Sequence, residues 1–377
     1  MRRYLHRDEG EMETLRPGTP SDAGLKEDYV SKALNVLEDG LREGVYPGFT
    51  VLVARKGVVA IHRADGYAQL IPERRPMGLN TVFDLASLTK PVCTATLTLK
   101  MVEKGVLTLE TRVCEVLDGW DEGWRSKVTI RHLLTHTSGL PAWIPLYRKC
   151  RGKAEYLRAI NRVEKAYEPG SKTVYSDLGF MVLGFILEEV SSSTLDTLSR
   201  MEIFKPLGMT ETCFNPSGEV KARAAATEKC PWRGRVVVGE VHDENAYALG
   251  GVAGHAGLFS TAYDLAVFCQ TMLNMGVYGS VRLLEEETVE EATRTWVRDP
   301  DKGFGLGWMK PLAWPLPESS YGHTGFTGTS VWVCPRLELF AVLLTNRIHP
   351  SRRNPSCKRI SSVRTAFHRL LAKSAEG

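Results

Sequence analysis

Strand-forming sequence lies at the two ends of this chain and helix-forming sequence fills the space between, and that separation limits the fold more than anything else. Near the start, Phe49-Thr50-Val51-Leu52-Val53-Ala54-Arg55, a Lys56-Gly57 turn and Val58 to His62 read as a β-hairpin. Near the end, strand signals return at Gly305-Leu306-Gly307-Trp308-Met309, at Tyr321-Gly322-His323-Thr324-Gly325, and at Ser330–Cys334 and Leu339–Leu344 around a Pro335-Arg336 turn. Val30, Leu34, Leu37 and Leu41 recur at helical spacing, as do Ile360, Val363, Phe367, Leu370 and Leu371. Two N-terminal and three C-terminal strands then make one five-stranded antiparallel sheet, covered on one face by the two terminal helices. The expected class is α+β. Residues 1–24 read as a loose leader, 25–86 and 300–377 as the sheet domain, and 87–299 as a mostly helical insertion. Helical patterns run over 91–104, 154–165 and 177–191, whereas 210–258 reads as loop-heavy. A cleft between two such domains is the default place for a site, and Ser87 stands where the chain leaves the sheet.

Bulk properties exclude several functions. With 377 residues, 43% hydrophobic and 24% charged, the chain can bury a sizeable core without staples. A net charge of +4 is small for that length and makes no case for nucleic acid or an anionic membrane as partner. The eight cysteines include no C-x-x-C pair, and Cys93 and Cys269 fall in apolar helical patterns, as buried thiols do. The first ten residues hold no apolar signal core and no run of eighteen apolar residues occurs. A cytoplasmic protein without an integral membrane segment is therefore expected, or a periplasmic or extracellular one if the true N-terminus is missing. His132 and His136 read as structural helix-end residues, and His242-Asp243-Glu244 lacks a second ligand cluster for a metal. Arg352, Arg353, Lys358 and Arg359 read as a solvated face before the last helix.

Chemistry enters with Ser87, the only serine followed three residues later by lysine, Lys90. One helical turn separates the two, so hydroxyl and ammonium share a face. A serine hydroxyl needs a neighbour to take its proton, and a desolvated lysine is one solution. By itself the spacing fits a surface helix with a solvated lysine better. Two further segments sit where side chains can face a cleft: Tyr175-Ser176-Asp177 after the Pro169-Gly170 turn, and His323-Thr324-Gly325 on a strand.

In that order and with those gaps, the segments resemble the S-x-x-K, Y-x-N and K/H-T-G elements of the penicillin-recognising serine hydrolases: class C β-lactamases, DD-peptidases and related esterases. Arg131–Leu140 and Gly257–Leu265 are similar to the stretches between those elements. Val241-His242-Asp243 with Gly250–Gly257 is similar to a branch near the low-molecular-mass penicillin-binding proteins. The resemblance spans roughly residues 25–372.

It implies a β-lactamase/transpeptidase-like fold and a Ser87 acyl-enzyme, with Lys90 and Tyr175 sharing the proton work. It also implies an oxyanion hole from the backbone N–H groups of Ser87 and Phe326, and a substrate lying along Thr324 and Gly325. The substrate is a small molecule or peptide-like, and no metal or organic cofactor is called for. His255, flanked by small residues, is a further candidate.

Two departures matter. Asp177 stands where the family has Asn, and its charge would raise the Lys90 pKa, moving the role of base towards Tyr175 if cationic charge lowers the phenol's pKa. His323 replaces the lysine common in β-lactamases, as in some DD-peptidases and many esterase-like members, and, neutral at pH 7, would hold a carboxylate less firmly without excluding peptidase activity. Both changes count against efficient β-lactam hydrolysis. The readings are an esterase or small-amide hydrolase, a DD-peptidase-like enzyme, a true β-lactamase, and a non-catalytic member that binds a peptidoglycan fragment or a partner. Loops 142–153 and 213–246 would set the specificity.

Overall fold

The computed structural model describes residues 14–299, 303–311 and 315–376. Five strands carry the sheet: β1 (Gly48–Arg55), β2 (Val58–Gln69), β3 (Tyr321–Thr324), β4 (Ser330–Cys334) and β5 (Leu339–Thr345). Lys56 and Gly57 both take positive φ, 53° and 71°, which lets two residues close the β1–β2 hairpin with the strands' own twist. The two ends of the chain join where β5 pairs antiparallel with β1, from Leu339 against Arg55 to Thr345 against Phe49.

Both faces of these central strands are buried, which is why they read as unbroken apolar runs. Phe49, Val51 and Val53 of β1, with Leu339, Ala341 and Leu343 of β5, meet the terminal helices α1 (Glu27–Arg42) and α5 (Ile360–Ala375) through Ala33, Leu37, Val363 and Phe367. The alternate residues Leu52, Ala54, Phe340, Val342 and Leu344 join the larger core of the helical layer. That layer includes α2 (Thr96–Glu103), α3 (Asp177–Ser191) and α4 (Ala262–Leu273).

The sheet is larger than expected. It has ten strands rather than five, in the order Arg16–Pro17, β2, β1, β5, β4, β3, Met309–Lys310, Gly303–Phe304, Val297–Arg298, with Arg75–Pro76 also on β2. It is also mixed, because Arg16–Pro17 runs parallel to Val58–Val59. Each added strand is two residues long, too short for any alternation to show in sequence. The Gly305–Met309 signal marks burial rather than extension. Leu306 and Trp308 are buried in a tight connection with Gly307 at φ 81°, and the paired residues lie on either side of it.

Of the expected leader, residues 1–13 lie outside the described residues. In the loop-heavy stretch a hairpin forms from Ala226–Cys230 and Arg235–Val238. All eight cysteines are free thiols, and Cys93 and Cys269 are fully buried, as the apolar pattern predicts. No single helix among the described residues is long and apolar enough to cross a membrane. The apolar α3 is a core helix, buried from Leu178 through Leu187.

Candidate active site

Asp84 shapes the turn that presents Ser87. Its carboxylate accepts from the Ala86 N–H at 2.9 Å and from the His242 N–H at 2.6 Å. This holds Ala86 at φ 48°, a conformation that a residue with a Cβ adopts only when its surroundings enforce it. A single 3-10 turn, Ala86–Leu88, follows, then a π-helical segment, Lys90–Ala95, that leads into α2. The wide turn directs Lys90 inwards.

Lys90 is fully buried, and its ammonium donates to three acceptors: Ser87 Oγ at 3.0 Å, Asp177 Oδ1 at 2.7 Å and the His255 carbonyl at 3.1 Å. Burial alone would lower its pKa, but the Asp177 carboxylate and Tyr175 together hold it above the ordinary lysine value. The resting pair is thus ammonium and carboxylate, as the Asn-to-Asp departure implies.

Tyr175 precedes α3, whose first turn is capped by Ser176: its Oγ accepts from the Gly179 N–H and donates to the Pro141 carbonyl. The Lys90 Nζ lies 4.8 Å from the centre of the Tyr175 ring. His136 packs against the same ring, with ring centres 4.6 Å apart, and its Nδ1 accepts from the Ser176 N–H at 3.1 Å. His323 and Phe304 complete the surround, with ring centres 5.8 and 6.4 Å from that of Tyr175. One expectation changes here. Burial raises the phenol's pKa above its ordinary value, and the opposing pull of Lys90 does not reverse it. The resting side chain is a neutral phenol.

The third element lies on β3 and the turn after it. Thr327 Oγ1 donates to the Asp84 carbonyl at 2.7 Å and Thr329 Oγ1 to the Leu85 carbonyl at 2.9 Å, fastening the 325–329 turn to the segment that carries Ser87. Only glycine permits that approach at position 325, since a Cβ there would lie 2.5 Å from the Leu85 carbonyl oxygen. Among the described residues neither the Ser87 N–H nor the Phe326 N–H has an internal acceptor. His323 lies within 2.9 Å of the Thr324 carbonyl through Nδ1, so that nitrogen carries the proton and Nε2, buried and unpartnered, is a lone-pair acceptor. Burial, then Lys90, pushes its pKa down to about 3.

The His255 side chain meets Asp243 at 2.9 Å, and it is the backbone of His255 that touches Lys90. Of the histidines read as structural, His132 caps its own helix with Thr129, and His136 buttresses Tyr175. His242 meets Glu228 at 3.1 Å, and Glu244 accepts from Arg352 at 2.7 Å. Arg352 therefore does not belong to a solvated face. It is half-buried, bonded to Glu228 at 2.6 Å as well, and its guanidinium lies 5.7 Å from the exposed Phe326 ring. Asp84, Thr327 and Thr329 were not among the sequence candidates, and Asp243 stood there only as part of the Val241-His242-Asp243 resemblance, with no role assigned to it.

A pH dependence follows from these charges. If the phenolate of Tyr175 takes the serine proton, log(kcat/KM) climbs with a slope of about 1 from about pH 6 to beyond about pH 9. His323, already neutral across that range, adds no break near its ordinary value. A plateau reached below about pH 8 in a pH–rate profile would count against Tyr175 as base.

The Beta-lactamase family profile matches residues 34–361. A Salmonella typhimurium protein named "Putative D-alanyl-D-alanine carboxypeptidase" is 34% identical over 388 residues, covering 92% of this chain and 89% of its own length. The structure of EstCE1, described as a hydrolase with promiscuous acyltransferase activity, superposes with a TM-score of 0.75 at 23% identity, covering 92% of this chain and 99% of that one. A class C beta-lactamase superposes with a TM-score of 0.75 at 18% identity, covering 93% and 97%. The fold is the β-lactamase/transpeptidase-like one, and the chain belongs to the Beta-lactamase family of serine hydrolases.

Proposed function

We propose that this chain hydrolyses an ester or amide through an acyl-enzyme on Ser87. The observation that carries this reading is the single cluster in which the Lys90 ammonium lies 3.0 Å from Ser87 Oγ and 4.8 Å from the Tyr175 ring centre. Ser87 Oγ attacks the acyl carbon while its proton passes to the Tyr175 phenolate, formed as a minor species beside the Lys90 cation. The resulting oxyanion is held by the Ser87 and Phe326 N–H groups. As the bond to the leaving group breaks, Tyr175 returns the proton to that group. Water then attacks the ester and gives its proton to Tyr175, and Ser87 departs with that proton.

Charge favours an uncharged group next to the scissile bond. Asp177 neutralises Lys90, and His323 offers a lone pair rather than a cation. Neutral esters and small amides lead on this ground. A D-alanyl-D-alanine peptide is the second reading, favoured by the name of the Salmonella relative. Kinetics on an acyl-D-alanyl-D-alanine peptide and on its methyl ester, with a p-nitrophenyl ester and benzylpenicillin alongside, separates them. We expect kcat/KM to hold or rise when the carboxylate is blocked, and β-lactam turnover to be slowest. A loss of about tenfold or more on blocking would overturn the preference for neutral groups and favour the peptidase reading; tenfold corresponds to roughly 1.4 kcal/mol, within the range of one charge-assisted hydrogen bond.

A further inference from the structure

The C-terminal helix α5 delivers a buried cation to the back of the 325–329 turn. Arg364 is 5% exposed, and its Nη2 donates to the Gly325 carbonyl at 3.1 Å and to the Thr329 carbonyl at 2.7 Å. Its Nε is buried and has no partner, and among the described residues no carboxylate pairs with the guanidinium. Burial, and then the nearby Arg347, push its pKa down to about 9, which leaves it charged at neutral pH.

Stability does not account for such a residue. A buried cation without a counter-ion is costly. Nor do the two carbonyls depend on it: Gly325 O already accepts from the Gly328 N–H at 3.1 Å, and Thr329 O from the Gly325 N–H at 2.7 Å. What the guanidinium does reach is one particular peptide group. The Gly325 carbonyl and the Phe326 N–H are two ends of the same amide. A charged donor at the oxygen withdraws density from the nitrogen and makes the N–H a stronger donor, because linked hydrogen bonds polarise one another. The neighbouring carbonyl, that of Phe326, accepts from Arg347 Nε at 2.8 Å, so the peptides on both sides of the Phe326 Cα are held by guanidinium groups.

We propose that Arg364 is a positioning residue that strengthens the oxyanion hole by polarising the Gly325–Phe326 peptide from behind. The inference rests on the hydrolase reading above, in which the Phe326 N–H faces the substrate oxygen. It gives an otherwise unexplained buried charge a task that a neutral side chain of the same size could not perform.

Arg364→Met and Arg364→Lys in the full chain test it. For a p-nitrophenyl ester we expect Arg364→Met to lower kcat by about tenfold, less than the loss of a whole oxyanion donor, with KM within about twofold. Its thermal midpoint should hold or rise. Arg364→Lys keeps a cation and should recover part of the rate. The decisive readout is the infrared stretch of the acyl-enzyme carbonyl, formed from an ester labelled with carbon-13 at that carbon. Weaker oxyanion donation moves it to higher wavenumber in Arg364→Met and by less in Arg364→Lys. An unchanged stretch, an unchanged kcat, or failure of both variants to fold would each overturn the proposal. Absence of any acyl-enzyme in the wild type would instead remove the hydrolase reading on which it depends.

Discussion

Ser87→Ala lowers kcat/KM for a p-nitrophenyl ester by about 10⁴-fold or more, the scale seen when a hydrolase loses its nucleophile. The fold should tolerate the change. Ser87 is only half-buried, and Lys90 Nζ, which gives up its bond to Ser87 Oγ, keeps Asp177 and the His255 carbonyl as acceptors. Asp84 continues to fix the turn through the Ala86 and His242 N–H groups, so the backbone around position 87 stays in place. Loss of rate at an unchanged thermal midpoint therefore reports chemistry. Full activity in the alanine variant, checked by steady-state kinetics, would contradict the nucleophile assignment.

Lys90→Met should also be damaging to turnover, by about 10³-fold, and unlike Ser87→Ala it should destabilise the protein as well. The ammonium is fully buried and the Asp177 side chain is 19% exposed, so removing the cation leaves a carboxylate largely out of water with no partner. Breaking a buried pair from one side typically costs about 3 kcal/mol. The double variant Lys90→Met with Asp177→Asn removes the orphaned charge along with the cation. Stability should then return while activity does not, as denaturant unfolding and kinetics on the same preparations would show. Recovery of activity together with stability would mean that Lys90 serves the fold and not the proton chemistry.

The parts of the molecule that were legible in sequence are those with a local signal. The strands of the β1–β2 hairpin and the β4–β5 pair are apolar runs joined by short turns, and the terminal helices α1 and α5 repeat an apolar residue at the spacing of one buried face. Two-residue strands such as Gly303–Phe304 have no period to display, and Leu306 with Trp308 showed that an apolar run records burial whatever the backbone does. In the site, Ser87, Lys90, Tyr175 and His323 were visible because three short motifs hold them in a fixed order. The residues that support them were not, since their partners are distant in the chain: Thr327 reaches Asp84 across 243 positions. Arg352 was misread for the same reason, its partners Glu228 and Glu244 lying 124 and 108 positions away. The phenol of Tyr175 differs in another way. Its charge state depends on whether burial or the Lys90 cation prevails, and sequence specifies only the second.

The central claim is a covalent acyl group on Ser87. Intact-protein mass of wild type and Ser87→Ala, recorded after exposure to benzylpenicillin and separately to a p-nitrophenyl ester while nitrophenol release is followed, tests it most directly. The expected result is nitrophenol release that requires Ser87, together with any mass adduct, transient or stable, confined to wild type and mapping to the peptide that contains Ser87. Release or labelling that persists in Ser87→Ala, or neither signal in wild type, would contradict it and leave a binding protein on a hydrolase fold.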